Sequence, residues 1–162
     1  MSKKSVLLFL GLVLPVLIFI FLKIFGKNQF DVPLVYQDGV KEVPEGCSGA
    51  FAAPYRIDER VMNAIAPERG RSLVLINFGE PYPKLKTVVA KFPDEVKLLA
   101  AGQIHLGEID FTMLKRCVLL MRDPADLVLI DHERNIRGYY DGNDRDDLDR
   151  LEAELIIILK KY

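Results

Sequence analysis

Four side chains of this 162-residue chain could act as soft metal ligands or redox groups, namely two cysteines and two histidines. Cys47 and Cys117 lie far apart in the sequence, and neither His105 nor His132 neighbours them. They are too few for a zinc cluster or a disulfide-dense scaffold. We therefore expect no metal, no cofactor and no catalytic residues, in a protein that is not an enzyme. The formal net charge of −1 gives no basic surface for nucleic acid.

The two thiols leave several interpretations open. If both lie in an oxidising compartment, they could form a disulfide that closes a loop of roughly 70 residues. In the chain-entropy description that cross-link contributes about 4 kcal/mol. Alternatively, Cys117 is a small buried hydrophobe beside Val118 and Leu119, and Cys47 is a free loop residue. Neither cysteine lies in a Cys-x-x-Cys motif, so a reversible redox pair would need an unusual geometry.

The amino-terminal part of the chain carries a long apolar run. It covers residues 6–22 and extends to residues 5–25, which reaches the ~20 residues that cross a bilayer. Lys3 and Lys4 precede it, and no small-x-small cleavage site follows. We predict an uncleaved signal anchor over residues 1–26 in a bacterial inner membrane, with a buried core helix as the alternative. The rest of the chain would then lie on the periplasmic side.

Regular order is predicted after an irregular lead-in over residues 27–70, which contains short apolar pieces typical of short strands or a hairpin. The hydrophobic pattern then predicts strands over 72–78, 95–101, 125–131 and 136–141, and helices over 81–92, over 108–119 and from 143 or 144 onward. Strand–helix alternation favours parallel pairing, and the tight turn after residue 131 favours a hairpin. We therefore predict an α/β domain over residues 71–162 with a thioredoxin-like fold, in which helices flank a mixed sheet.

The turn after the first predicted strand has the composition Gly79, Glu80, Pro81, Tyr82 and Pro83. A thioredoxin-like fold carries its reactive cysteines at this turn, and none is present here. Pro81 suits the first turn of the helix, and Glu80 would favour the positive end of its dipole. Tyr82 is either an exposed recognition aromatic or packs against the lead-in. We interpret the turn as a degenerate active site that serves as a docking surface.

Residues 127–142 read Leu-Val-Leu-Ile-Asp-His-Glu-Arg-Asn-Ile-Arg-Gly-Tyr-Tyr-Asp-Gly. This segment resembles the end of the SCO/SenC family, which comprises membrane-anchored, thioredoxin-like copper proteins that assist cytochrome c oxidase assembly. The match is good over about residues 127–159 and looser over 72–92. The family-like hairpin residues that carry it are Asp131, Ile136, Arg137, Gly138, Tyr140, Asp141 and Gly142.

The copper ligands of that family are not matched. The family has Cys-x-x-x-Cys-Pro after the first core strand and a histidine before a later strand. Pro83 corresponds to the proline, which puts Tyr82 in place of a thiol, and Asp123 stands at the position of the lost histidine. Copper(I) requires soft ligands, so the resemblance implies a degenerate member that has no copper site.

The resemblance implies a non-catalytic accessory or assembly factor for a respiratory complex of the cytochrome oxidase type. Its partners would be a membrane-embedded protein complex and the lipid bilayer around residues 5–25. A permanent structural subunit of a respiratory or envelope complex is one alternative. A thiol–disulfide redox protein that uses Cys47 and Cys117 is another.

Overall fold

The computed structural model describes residues 11, 13–21, 23, 31–49, 51–68, 70–104 and 110–160. The chain divides into two compact units, residues 1–31 and 32–162. In the first unit, residues 13–21 are helical. Within the described residues, no helix is both long and apolar enough to cross a membrane. The predicted anchor over residues 5–25 lies partly outside the described residues.

The second unit is a mixed α/β structure with a four-stranded sheet. In chain order its elements are α1 (Glu59–Ile65), β1 (Leu73–Asn77), α2 (Pro83–Val89), β2 (Val96–Ala100), a 3-10 turn (Ala101–Gln103), α3 (Phe111–Met113) continued by a π-helical turn (Leu114–Val118), β3 (Leu127–Ile130), β4 (Ile136–Tyr140) and α4 (Arg145–Leu159). The sheet order is β2-β1-β3-β4. β1 runs parallel to β2 and antiparallel to β3, and β3 runs antiparallel to β4. The predicted mixed sheet is confirmed, and its order is compatible with a thioredoxin-like fold.

The two central strands are buried on both faces, and alternate side chains enter two separate cores. Because successive side chains of a strand point to opposite faces, β1 and β3 each contribute to both. Val74 and Ile76 pack with the lead-in, α1 and the π-helical turn. Leu73 and Leu75 pack with α2 and α4. The helix predicted from residue 143 or 144 onward is confirmed as α4, which buries Leu148, Leu151, Leu155 and Ile158.

The structure adds detail to two connecting segments. The lead-in forms no strand within described residues 31–49 and 51–58. It leads instead into α1, where the Asp58 side chain accepts a hydrogen bond from the Arg60 amide at 2.8 Å and caps the helix. The helix predicted over 108–119 is present over residues 111–118, where the short α3 continues into a π-helical turn. Residues 105–109, which include His105, lie outside the described residues.

Three tyrosines join the lead-in and β4 to the end of the π-helical turn. The Tyr55 hydroxyl donates to the Val118 carbonyl at 2.7 Å. The Tyr139 hydroxyl donates to the Leu119 carbonyl at 2.5 Å. The Tyr36 hydroxyl donates to the Leu120 carbonyl at 3.4 Å. The last carbonyls of a helix have no partner within the helix, so side-chain donors from elsewhere must satisfy them. These hydrogen bonds fix the lead-in to the core.

A buried ion pair joins the β3–β4 hairpin to the lead-in. Asp131 is 0% exposed and Arg137 is 8% exposed, and their side chains approach to 3.6 Å between Oδ2 and Nη1. The Arg137 Nη2 donates to the Val32 carbonyl at 2.7 Å. The Asn135 backbone N–H donates to Asp131 Oδ1 at 2.9 Å. One guanidinium therefore links the hairpin to the start of the lead-in.

Replacing Arg137 by Met should lower the free energy of unfolding by about 3–5 kcal/mol, because the Asp131 carboxylate would stay buried without its cation. Replacing both residues by apolar side chains should cost less than the sum of the two single changes. Urea denaturation of the full chain measures both effects. The control is Arg122→Met, which removes an exposed ion pair with Glu42 and should cost less than about 1 kcal/mol. If Arg137→Met and Arg122→Met lower the free energy of unfolding equally, the buried ion pair does not have the stabilising role assigned to it.

The stability of the second unit should also fall at high pH. Burial is the main cause that raises the pKa of Tyr55 from 10.0 to about 12, with a smaller contribution from Tyr36. The native state therefore holds this proton more tightly than the unfolded chain. The resulting stabilisation is complete below pH 10 and is lost as the pH rises from 10 to 12. Urea denaturation across that range, with Tyr55→Phe as the comparison, should show a smaller loss in the variant.

Candidate functional site

The turn after β1 meets two other connections at one edge of the sheet. Asn77 at the end of β1 pairs with Leu127 at the start of β3, and Leu127 pairs with Tyr140 at the end of β4. Asn77 also pairs with Ala100 at the end of β2. The turn over residues 78–82, the segment before β3 and the turn after β4 therefore lie together. We name this edge the turn edge.

The turn is shaped by one buried side chain at the end of β1. The Asn77 Oδ1 accepts from the Gly79 amide at 2.8 Å, and its Nδ2 donates to the Glu80 carbonyl at 2.8 Å. A side-chain amide that bonds its own chain two and three residues later replaces part of the backbone hydrogen bonding of the turn. The buried polar group is satisfied on both sides, and the path of residues 79–80 is fixed.

Tyr82 occupies the centre of a hydrogen-bonded network at the turn edge. Its hydroxyl donates to Asp126 Oδ2 and accepts from Asn143 Nδ2 at 3.3 Å. The other carboxylate oxygen of Asp126 accepts from the Gly142 amide at 2.8 Å. The backbone of Asp126 also bonds β1 and β4, through Phe78 N at 2.8 Å and the Tyr140 carbonyl at 3.0 Å. We call Tyr82, Asp126, Gly142 and Asn143 the Tyr82 network.

The Tyr82 hydroxyl is a neutral hydrogen-bond donor rather than a nucleophile. Its hydrogen bond to the Asp126 carboxylate raises the pKa of Tyr82 above 10.0, and burial raises it further. The group therefore stays protonated at neutral pH, whereas metal binding or nucleophilic attack by a phenol requires the anion. Tyr82 therefore closes the turn as a protonated hydrogen-bond donor.

Two glycines are required for this close packing. A Cβ on Gly142 would overlap the Tyr82 ring, with Cζ at 2.7 Å. A Cβ on Gly79 would overlap the Asp126 carboxylate and the Tyr82 hydroxyl, with Asp126 Cγ at 2.9 Å. Gly79 was predicted as part of the degenerate turn and Gly142 as part of the family-like hairpin, and the structure brings both of them against one tyrosine.

The positions of the other turn residues differ from the sequence prediction. α2 begins at Pro83, with Tyr82 at the N-cap, so Pro83 rather than Pro81 is the first-turn proline. Glu80 and Pro81 are exposed and precede the helix. The proposed helix-start role of Glu80 was therefore wrong. Tyr82 contacts the segment before β3 and the turn after β4, whereas its predicted packing partner was the lead-in.

The family-like hairpin residues make packing contacts, an ion pair and hydrogen bonds at both ends of β4. Ile136 is buried in the core, and Asp131 and Arg137 form the buried ion pair. The Tyr140 hydroxyl donates to Glu154 Oε2 of α4 at 2.5 Å, and its ring lies against Gly138, where a Cβ would approach Tyr140 Cζ to 2.8 Å. Asp141 Oδ1 accepts from the Asn143 amide at 2.8 Å and shapes the turn after β4. These contacts give each of the residues a structural role in the domain.

A cleft of about 620 Å³ adjoins the turn edge. Phe78 lies at its wall and contacts the Phe111 ring edge to face, with centroids 5.5 Å apart. Asp123, which the predicted resemblance places where the family has a histidine, lines this cleft and forms an exposed ion pair with Lys115 at 3.4 Å. The peptide bond between Asp123 and Pro124 is cis. Asp123 therefore takes part in a surface ion pair beside the turn.

The two cysteines are joined to each other. The structure contains a Cys47–Cys117 disulfide with a Cα–Cα distance of 5.3 Å, which links the lead-in to the π-helical turn. Both residues are partly exposed. Among the residues that the structure describes, no group of three or more His, Cys, Asp or Glu side chains could hold a metal ion. The expected absence of a cofactor stays a prediction.

Sequence reasoning missed Asp126 and Asn143, the two side chains that hold Tyr82. Asp126 follows Ala125 at the entry to a strand, where a polar residue has no distinctive pattern. Asn143 follows Asp-Gly, which indicates a turn but not its contacts. Only the register of β1, β3 and β4 brings these residues to Tyr82.

Replacing Gly142 by Ala should lower the free energy of unfolding by about 1–3 kcal/mol, because the added methyl group displaces the Tyr82 ring. Gly79→Ala should have a similar effect through Asp126. Urea denaturation of the full chain is the measurement. The control is Gly102→Ala, where an added Cβ has nothing within 4 Å. The packing argument is wrong if Gly142→Ala is as stable as Gly102→Ala.

The turn edge, the cleft and the disulfide are the candidate functional features of this chain. The SCO/SenC resemblance stays a prediction from the hairpin and the turn sequences. No protein-family model, no curated protein and no solved structure matches this chain.

Proposed function

We propose that this chain is a membrane-anchored, SCO/SenC-like protein of thioredoxin-like fold that acts without a copper or thiol site. It would be an accessory or assembly factor for a respiratory complex of the cytochrome oxidase type. The observation that carries the proposal is the Tyr82 network, because a neutral, hydrogen-bonded tyrosine fills the turn at which the family has its thiols.

The exposed part of the turn provides the proposed docking surface. Gly79, Glu80, Pro81 and Pro83 are exposed, and the Asn77 side chain and the Tyr82 network hold their backbone in one conformation. A pre-formed turn loses little conformational entropy when a partner binds. The surface can therefore recognise a protein by shape and by the charge of Glu80 without any reaction.

The proposed anchor rests on the apolar run over residues 5–25. Within helical residues 13–21, seven large apolar side chains are exposed, namely Leu14, Val16, Leu17, Ile18, Phe19, Ile20 and Phe21. A contiguous exposed apolar surface of this kind favours contact with lipid or with other apolar helices. The docking domain would then lie on the periplasmic side of a bacterial inner membrane.

Co-purification of the full chain from its native membrane in mild detergent tests the proposal. Respiratory-complex proteins should be recovered with the wild type, and Glu80→Lys should recover several-fold less. The matched control is Glu95→Lys, an exposed glutamate before β2 at the opposite edge of the sheet. Recovery in constant stoichiometry with the mature complex would favour a permanent subunit. Recovery of the chain as a free monomer would contradict both roles.

Copper(I) titration of the full chain, with the disulfide intact, tests the absence of the family's chemistry. We expect no tight stoichiometric binding, because copper(I) requires soft thiolate or thioether ligands and the turn offers a protonated phenol. A competition assay with a copper(I) chelator is the measurement. Tight binding of one copper per chain would overturn the proposal.

The bonded cysteines favour one second candidate, a thiol–disulfide redox protein that uses Cys47 and Cys117. Both residues are partly exposed, so an attacking thiolate could reach the disulfide. The reduction potential of the pair separates this function from a structural bond. A value below about −300 mV would mark a structural disulfide and exclude the redox function.

A further inference from the structure

The disulfide holds a loop that has few other attachments to the core. Tyr36 and Tyr55 close the base of this loop, because the Tyr55 amide donates to the Tyr36 carbonyl at 3.0 Å and their rings meet edge to face at 6.0 Å. Cys47 lies near the middle of the residues between them. We name residues 37–54 the latch loop.

Burial contributes little to the position of the latch loop. None of its described residues, 37–49 and 51–54, is fully buried. Val40 and Phe51 are partly buried and pack against the core. The backbone hydrogen bonds found in the described residues of the loop are local, from Gly39 to the Tyr36 carbonyl at 3.2 Å and from Cys47 to the Pro44 carbonyl at 3.1 Å.

The remaining polar attachment of the loop is weak. Glu42 pairs with Arg122 at 3.3 Å, and the two side chains are 80% and 70% exposed. Ion pairs with this exposure contribute little, since water already solvates both charges. The covalent bond to Cys117 is therefore the strongest attachment of the loop between its base residues.

The latch loop also supplies one wall of the cleft beside the turn edge. Glu42, Val43 and Pro44 line the cleft on one side, and Phe111 lies on another. Met121 lines the same cleft and is only 7% exposed. Met121 is therefore a buried residue of the cleft whose exposure can report on a movement of the loop.

We propose that the Cys47–Cys117 disulfide is a redox latch, and that its reduction by a dithiol releases residues 37–54 and opens the cleft. A thiolate of the dithiol attacks one sulfur of the disulfide and forms a mixed disulfide. The second thiol of the reductant then resolves the mixed disulfide. The protein gains two electrons and two protons and ends with two free thiols, and the dithiol becomes a disulfide. The latch is a property of this loop and does not depend on the proposed respiratory partner.

Hydrogen exchange of the full chain, with and without dithiothreitol, tests local release. Reduction should accelerate amide exchange at least tenfold in peptides that cover residues 37–54, while peptides that cover β1 and β3 keep their exchange rates. Unchanged exchange in the loop would overturn the proposal, since Val40 and Phe51 would then suffice to hold it. Accelerated exchange throughout the sheet would also overturn it, because the disulfide would then maintain the whole domain.

Methionine oxidation by hydrogen peroxide tests the opening of the cleft, with three methionines compared in one chain. Met113 is 51% exposed and Met62 is 0% exposed, so they serve as the reactive and the protected reference. The wild type should oxidise Met121 slowly. The double variant Cys47→Ser, Cys117→Ser should oxidise Met121 at least fivefold faster and leave the Met62 rate unchanged. Equal Met121 rates in the two chains, or a faster Met62 rate in the variant, would overturn the latch.

A third variant separates the covalent attachment from the ionic one. Glu42→Gln removes the exposed ion pair with Arg122 and keeps the disulfide. Both the exchange rates of residues 37–54 and the Met121 oxidation rate should stay within about twofold of the wild type. A release as large as that caused by reduction would assign the loop's position to the ion pair and overturn the disulfide's role.

Discussion

The buried ion pair between Asp131 and Arg137 is the interaction on which the arrangement of the second unit depends. Two charges removed from water are tolerated only when each has a partner and further hydrogen bonds. Asn135 satisfies the carboxylate, and the Val32 carbonyl accepts from the guanidinium. The hairpin, its turn and the start of the lead-in must therefore come together at one place. The tyrosine hydrogen bonds and the disulfide then attach the rest of the lead-in to the domain.

The opposite edge of the sheet is organised by the Tyr82 network. The strand register brings the turn after β1, the entry to β3 and the turn after β4 into contact, and Asp126 in the entry to β3 bonds the other two. This packing requires glycine at two positions and keeps the tyrosine protonated. The hydrogen bonds of Asn77, Asp126 and Asn143 therefore hold this edge together. The latch loop gives the neighbouring cleft a separate, redox-dependent control.

The sequence predicted the regular core better than the connections or the site. Strands β1 and β3 are continuous apolar runs, and α4 repeats its apolar residues at helical spacing. The hydrophobic pattern of the sequence is therefore enough to indicate these elements. α1 was missed because Asp58 is a weak start signal in an irregular segment. The π-helical turn could not be predicted, because its last carbonyls are satisfied by tyrosines that are distant in sequence. Of the Tyr82 network, the sequence indicated only two residues. Tyr82 was predicted as part of the degenerate turn, and Gly142 as part of the family-like hairpin.

The amino-acid sequence by itself determined the order of strands and helices from β1 onward, the apolar amino-terminal run and the lack of a thiol after β1. These follow from local periodicity and composition, which act over a few residues. The tertiary structure alone decided that Asp126 and Asn143 hold Tyr82, that Asp131 and Arg137 are buried together, and that Cys47 meets Cys117. Those contacts depend on strand register and on the path of the lead-in. Such long-range geometry is set by the packing of the whole domain and leaves no local pattern in the sequence.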